Sequence, residues 1–138
     1  MRRAVAAVAG GLAVWIVAVT VANLAVRAVL PGYGEAEAAM RAADGGYGQA
    51  STPFTPTMMI ARLALGGLAS VAGGAACAWI ARARSRSPWV LGIILVVLFI
   101  PVHVWLWQRF PVWYHFAFLA SLLPCTLLGA TVAARNRR

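Results

Sequence analysis

No lysine occurs in this sequence, and acidic residues are nearly missing. Glu35, Glu37 and Asp44 stand against twelve arginines, for a formal net charge of +9. Charged residues of both signs make up 11% of the chain, where a soluble domain carries roughly 25%. A soluble fold of this length leaves about a third of its chain area in water. A chain that is 62% hydrophobic has too much apolar surface for that, so it needs a non-aqueous partner. Cysteine is scarce as well. Cys77 and Cys125 stand alone in apolar runs and can form neither a disulfide framework nor a CxxC site. They read as small buried hydrophobes.

Motifs that carry chemistry are also lacking. There is no GxSxG, HExxH or P-loop and no paired carboxylate, and each of those patterns is what its reaction requires. Ser70, Ser121 and Thr126 are hydroxyls without an obvious base. The expectation is a non-enzymatic protein with no catalytic residue, no metal and no cofactor. The arginines form no continuous stripe and accompany no zinc-ligand spacing or RNP-like strand, so nucleic acid is not an expected partner. No acid or lysine interrupts the long apolar runs, although a proton-coupled transporter usually keeps an intramembrane acid as its relay. The first run offers only Thr20 and Asn23.

What the sequence does have is four charge-free runs, 4–26, 63–81, 88–108 and 110–134, each bounded by arginine. Crossing ~30 Å of hydrocarbon takes about 20 helical residues, and a helix satisfies every backbone polar group within the segment. The fold class is therefore all-α: an integral membrane four-helix antiparallel bundle, a single transmembrane domain over 1–138. The expected spans are about 4–29, 57–81, 88–108 and 111–134, with an outer loop over 31–56. The first run exceeds the 7–15 apolar residues of a signal peptide and is read as a retained span. Eight arginines fall on the side of the chain ends: Arg2, Arg3, Arg82, Arg84, Arg86, Arg135, Arg137 and Arg138. Four fall on the other: Arg27, Arg41, Arg62 and Arg109. Positive charge marks the inner side, so both termini are expected in the cytoplasm.

Pro31-Gly32 stops the first helix, and the alanine-rich 35–43, with acids at its start, reads as a short surface helix. Gly45-Gly46 ends it. Thr52-Pro53 and Thr55-Pro56 are two candidate starts for the second span, each an N-cap followed by proline. In that span Gly66, Ser70, Gly74 and Ala78 recur every four residues. Such a small-residue face lets membrane helices approach closely, either inside one chain's bundle or as the seam of a homo-oligomer. Pro101 and Pro124 each remove a helix hydrogen bond, and a kink is expected at both.

The stretch "PVHVWLWQRFPVWYH", 101–115, reads as the turn between the last two spans. Trp105, Trp107, Trp113 and Tyr114 suit the membrane interface, where one edge of the ring is apolar and the other wants a hydrogen bond. His103 and His115 lie at a similar depth, roughly 7 Å from the turn at ~1.5 Å per residue. They could hydrogen-bond each other or line a pocket; as a facing pair they could also hold a haem, a metal or a quinone. His103 and Trp107, four apart, are expected on one helix face. Together Arg27, Arg62, His103, Trp107, Arg109 and His115 make a candidate outer-leaflet pocket for an anionic ligand or lipid headgroup, with Glu35, Glu37 or Asp44 as counter-ions in the empty state.

The runs "MMIARLALGGLAS" (58–70) and "PWVLGIILVVLFIPVHVWLWQRFPVWYHFAFLASLLP" (88–124) resemble a group of small four-helix inner-membrane proteins of bacteria. The most specific part is "FPVWYH" (110–115) beside "PVH" (101–103). The resemblance implies a multi-pass protein of the bacterial inner membrane and supplies neither an activity nor catalytic residues. The leading expectation is an accessory or lipid-binding role, with the bilayer and anionic lipids as partners and a homo-oligomer or a membrane protein partner as a further one. The alternative is an oligomeric small transporter or channel joined through the glycine face. The third is a haem or quinone redox protein using His103 and His115.

Overall fold

The computed structural model describes residues 2–42, 54–81 and 85–136. Five helices follow in order: α1 (Arg2–Val29), α2 (Tyr33–Ala42), α3 (Pro56–Ala81), α4 (Ser87–Trp105) and α5 (Val112–Arg135). All but α2 are long and apolar enough to cross a membrane. Even α4, the shortest of them with 19 residues, extends ~28 Å at about 1.5 Å per residue.

Two long-range hydrogen bonds show how the helices alternate. Arg3 Nε donates to the Ile80 carbonyl at 3.0 Å, which ties the start of α1 to the end of α3. Arg109 Nη1 donates to the Met40 carbonyl at 2.7 Å, which ties the α4–α5 turn to α2. One end of the bundle thus gathers the chain start and the end of α3. The other, the loop end, gathers α2, the start of α3 and the α4–α5 turn.

α3 is the central helix, packed against α1 on one side and α5 on the other. Glycine makes both contacts possible. A Cβ on Gly11 would stand 2.9 Å from the Gly73 carbonyl oxygen, and one on Gly73 would stand 2.8 Å from the Gly11 oxygen. On the opposite side a Cβ on Gly74 would collide with the Thr126 backbone, and one on Gly129 with the Val71 backbone. Both crossings are backbone against backbone, which is how helices associate when lipid removes the hydrophobic drive between them. Gly66, Ser70, Gly74 and Ala78 are all buried in this packing. Gly66 lies against the Phe118 ring. Ser70 accepts a hydrogen bond from Trp15 Nε1 at 3.1 Å and donates to the Gly66 carbonyl at 2.7 Å. Of the two readings of this face, packing inside one chain's bundle is the one seen here, because α1 and α5 fill it.

The outer surface is apolar on every long helix. Val17, Val21, Trp79, Trp89, Ile93, Val97, Phe116 and Leu128 are exposed. Soluble monomers rarely expose such continuous apolar surface, and lipid is the solvent that suits it.

The ends of the elements follow local chemistry. α1 ends at Val29, and Gly32, at φ 76°, turns the chain sharply into α2. Only glycine takes that conformation without steric cost. Thr55 caps α3: its Oγ1 accepts from the Met58 amide at 3.3 Å, with Pro56 at the first helical position. Thr52-Pro53 lies outside the described residues. α4 stops at Trp105 rather than at 108. The Leu106 amide still bonds four residues back to Val102, but the Trp107 amide bonds three back to Val104, and the Arg109 amide to Leu106. This tightening ends the helix ahead of Pro111. Both internal prolines are accommodated, Pro101 within α4 and Pro124 within α5.

Candidate functional site

The loop end concentrates the polar side chains. α2 presents Tyr33, Ala36 and Glu37 as a buried stripe, with Met40 half-buried one turn on. That 3–4 residue spacing places one helix face on the bundle. The stripe carries a carboxylate into a cluster of cations. Arg27 Nε donates to Glu37 Oε2 at 2.6 Å, and Arg62 Nη1 to Glu37 Oε1 at 3.1 Å. Asn23 Nδ2 reaches both carboxylate oxygens at 3.3 Å. The Tyr33 hydroxyl donates to Asn23 Oδ1 at 3.0 Å, while Arg62 Nη1 approaches that hydroxyl at 3.4 Å. The Arg62 guanidinium also lies 5.0 Å from the Phe54 ring centre, a cation–π distance.

Burial alone would push the Glu37 carboxyl up. The hydrogen bonds from Arg27 and Asn23, with the charges of Arg62 and Arg27, outweigh it and hold the group below its ordinary range. Burial likewise raises the Tyr33 phenol, against the opposing charge of Arg62. A carboxyl that ionises more readily in the folded state stabilises that state above its ordinary pKa. The stabilisation is lost as pH falls through the lowered folded value. Acidification below about 4 is therefore expected to release α2 while the spans stay folded. Amide exchange at 33–42, corrected for its intrinsic pH dependence, should rise there relative to α3. Equal protection at neutral and acid pH would show that Glu37 does not hold α2.

Below this cluster lies a cleft of about 380 Å³. Its polar end is Asn23, Arg27, Tyr33, Glu37 and Arg62; its apolar wall is Trp15, Val19, Leu24, Leu65, Gly66, Phe99 and Phe118, with Thr20 between. The aromatic floor is continuous. Ring centres are 5.2 Å apart for both Trp15–Phe99 and Phe99–Phe118. From Arg27 back to Trp15 is ~18 Å along α1 at about 1.5 Å per residue.

The histidines form a separate unit between α4 and α5. Their Nδ1 atoms are 2.8 Å apart, and His115 Nε2 lies 3.2 Å from the Phe110 carbonyl. A carbonyl only accepts, so His115 carries its proton on Nε2. In the neutral pair its Nδ1 then accepts, and His103 Nδ1 donates. Both rings are buried. At ~2.0 Å per metal–nitrogen bond, two nitrogens on opposite sides of one ion would stand about 4 Å apart. The observed 2.8 Å is too short for that trans arrangement and matches a direct hydrogen bond between the rings. Trp107 stacks on His115 at 4.8 Å between ring centres. It does so from the turn, because α4 has already ended, which corrects its expected place on one helix face with His103. Replacing either histidine by phenylalanine should cost ~1–3 kcal/mol, since the partner keeps an unmatched buried nitrogen. The double replacement should cost less than the sum. Unfolding of the three variants in detergent checks this, and strict additivity would show that the bond contributes nothing.

The six residues expected to share one pocket are thus divided. Arg27 and Arg62 line the cleft; His103, Trp107, Arg109 and His115 do not. Arg109 sits at the end of α2, donating to the Met40 carbonyl, with its guanidinium 5.1 Å from the Trp105 ring centre. The last carbonyls of a helix have no partner within it, so Arg109 is a C-terminal cap for α2. Glu37 is the acid that meets Arg27 and Arg62; Glu35 is exposed, and Asp44 lies outside the described residues. Tyr33 and the aromatic floor escape sequence reasoning. The stripe at 33, 36, 37 and 40 was the available signal for Tyr33. Phe99 and Phe118 offer none, being apolar residues in apolar runs. Among the described residues no three His, Cys, Asp or Glu side chains gather as a metal site would require.

No family model, curated protein or solved structure matches the chain. The resemblance to small bacterial inner-membrane proteins therefore reduces to its architecture. The chain is a four-span, multi-pass membrane protein.

Proposed function

We propose that this chain is a non-enzymatic protein of the bacterial inner membrane, with both termini in the cytoplasm, that binds one lipid-like amphiphile in the cleft at its loop end. The arginine asymmetry supports the orientation, and with it the cleft opens at the level of the outer leaflet. One observation carries the binding reading: guanidinium groups and an aromatic floor share a single cavity of about 380 Å³. Pockets for small molecules are mostly apolar with a few polar groups that fix orientation. Here the cations would meet an anionic headgroup, and the floor a hydrocarbon chain. In this reading the role is an accessory one, with the bound lipid or a membrane partner as the client.

Val19→Trp tests the reading by filling the cleft from α1. The protein is recovered from nanodiscs containing phosphatidylglycerol, and native mass spectrometry counts retained lipid. Wild type should keep about one anionic lipid that the variant loses. Equal retention by both would overturn the cleft as the binding place.

A further inference from the structure

The three charges at the cleft's polar end are not equivalent in where they come from. Arg27 is on α1 and Arg62 on α3, two spans locked together by the Gly11–Gly73 contact. Glu37 is on α2, a ten-residue helix that meets the bundle through side chains, with little close backbone packing. The cations therefore belong to the rigid frame and the anion to its most detachable element.

The carboxylate is also coordinated as a ligand would be. Its two oxygens receive hydrogen bonds from two guanidinium groups and one amide, at 2.6–3.3 Å. This is the charge-assisted, several-donor geometry by which arginines recognise carboxylates and phosphates. Among the described residues, two positive groups, Arg27 and Arg62, face this one carboxylate. Arg27 and Arg62 keep 33% and 22% of their side-chain surface exposed.

We propose that Glu37 is an internal stand-in for the ligand's anionic group. It occupies the site that a singly charged phosphodiester or carboxylate headgroup takes, and binding of that headgroup releases α2 from the bundle. This rests on the cleft reading above and adds the ligand's charge class and its competitor. The occluded form is the resting state, with the carboxylate between the arginines. The bound form has the lipid headgroup there and the chain along Trp15, Phe99 and Phe118. Apparent affinity is lowered by the fraction of molecules in which Glu37 holds the site, so removing its charge should tighten binding.

The test compares wild type, Glu37→Gln and Val19→Trp in phosphatidylcholine nanodiscs titrated with phosphatidylglycerol, and in detergent titrated with inorganic phosphate. Glu37→Gln is expected to bind phosphatidylglycerol roughly tenfold more tightly than wild type, and Val19→Trp not at all. Tighter binding of inorganic phosphate by Glu37→Gln, unaffected by Val19→Trp, would assign the site to the free anion while keeping the stand-in role. A second measurement needs no substitution at Glu37. Adding phosphatidylglycerol to wild type should raise amide exchange at 33–42 and leave α3 unchanged. Binding that is equal in Glu37→Gln and wild type but lost in Val19→Trp overturns the stand-in and leaves the cleft. So does α2 becoming more protected when lipid is added. If Val19→Trp binds like wild type, the cleft reading itself fails.

Discussion

Gly74→Leu is expected to prevent the bundle from assembling. Even a methyl group there would collide with the Thr126 backbone, which has no rotamer by which to move away. Overpacking by a methylene or two typically costs 1–3 kcal/mol where side chains can adjust. Here two helix axes must separate, and the loss spreads along the whole α3–α5 contact. Gly129→Leu should behave the same way, because its Cβ would meet the Val71 backbone from the other helix. Gly67→Leu is the control: the nearest atom to a Cβ there is Cys125 Sγ, at 3.6 Å. The readout is the unfolding midpoint and the elution volume in mild detergent. Gly74→Leu should aggregate or lose several kcal/mol, and Gly67→Leu should lose far less. A well-folded Gly74→Leu with reduced oligomer mass would instead restore the idea of a seam between copies.

Arg62→Met should have the second largest effect, confined to the loop end. Methionine keeps the length and apolar stem but removes the charge. Glu37 then keeps Arg27 and Asn23 but loses the bond at 3.1 Å, and Tyr33 loses a neighbouring donor. Hydrogen bonds to charged groups contribute about 1.5–3 kcal/mol, and the carboxylate remains buried, with its side chain 8% exposed. The cation over the Phe54 ring is lost as well. The expected result is an α2 that exchanges its amides at least tenfold faster while the spans are little changed. Adding Glu37→Gln to Arg62→Met should recover part of the loss, because the carboxylate left behind causes most of it. No recovery would mean that Arg62 acts through its packing.

The spans are legible in the sequence because each property that makes one is local. A run of about 20 residues without charge, closed by arginine, reads as a membrane helix from local composition alone, and α1, α3, α4 and α5 follow those runs. Pro31-Gly32 and Thr55-Pro56 mark ends because proline and glycine act through their own backbone. The candidate site is less legible because it depends on which way a side chain points around its helix. Arg62 and Arg109 both belong to the loop end, yet one faces the cleft and the other caps α2. Depth follows from counting residues; direction around the axis follows from packing. The small-residue spacing at Gly66, Ser70, Gly74 and Ala78 has the same limit. Spacing says that something approaches closely, and only the fold shows that the approaching elements are α1 and α5 of the same chain. The end of α4 at Trp105 was hidden for a different reason. Hydropathy continues through Leu106 and Trp107, and the backbone turns before the apolar character does.

The bond from Arg109 to Met40 joins residues 69 positions apart. Translation at ~5–20 residues per second puts the donor roughly 3–14 s behind its acceptor. Until the final hairpin has been threaded into the bilayer, the short helix after the first span lacks its Arg109 donor. The last attachment of α2 is thus made late in biogenesis, after Arg27 and Arg62 of the earlier spans are already available to Glu37.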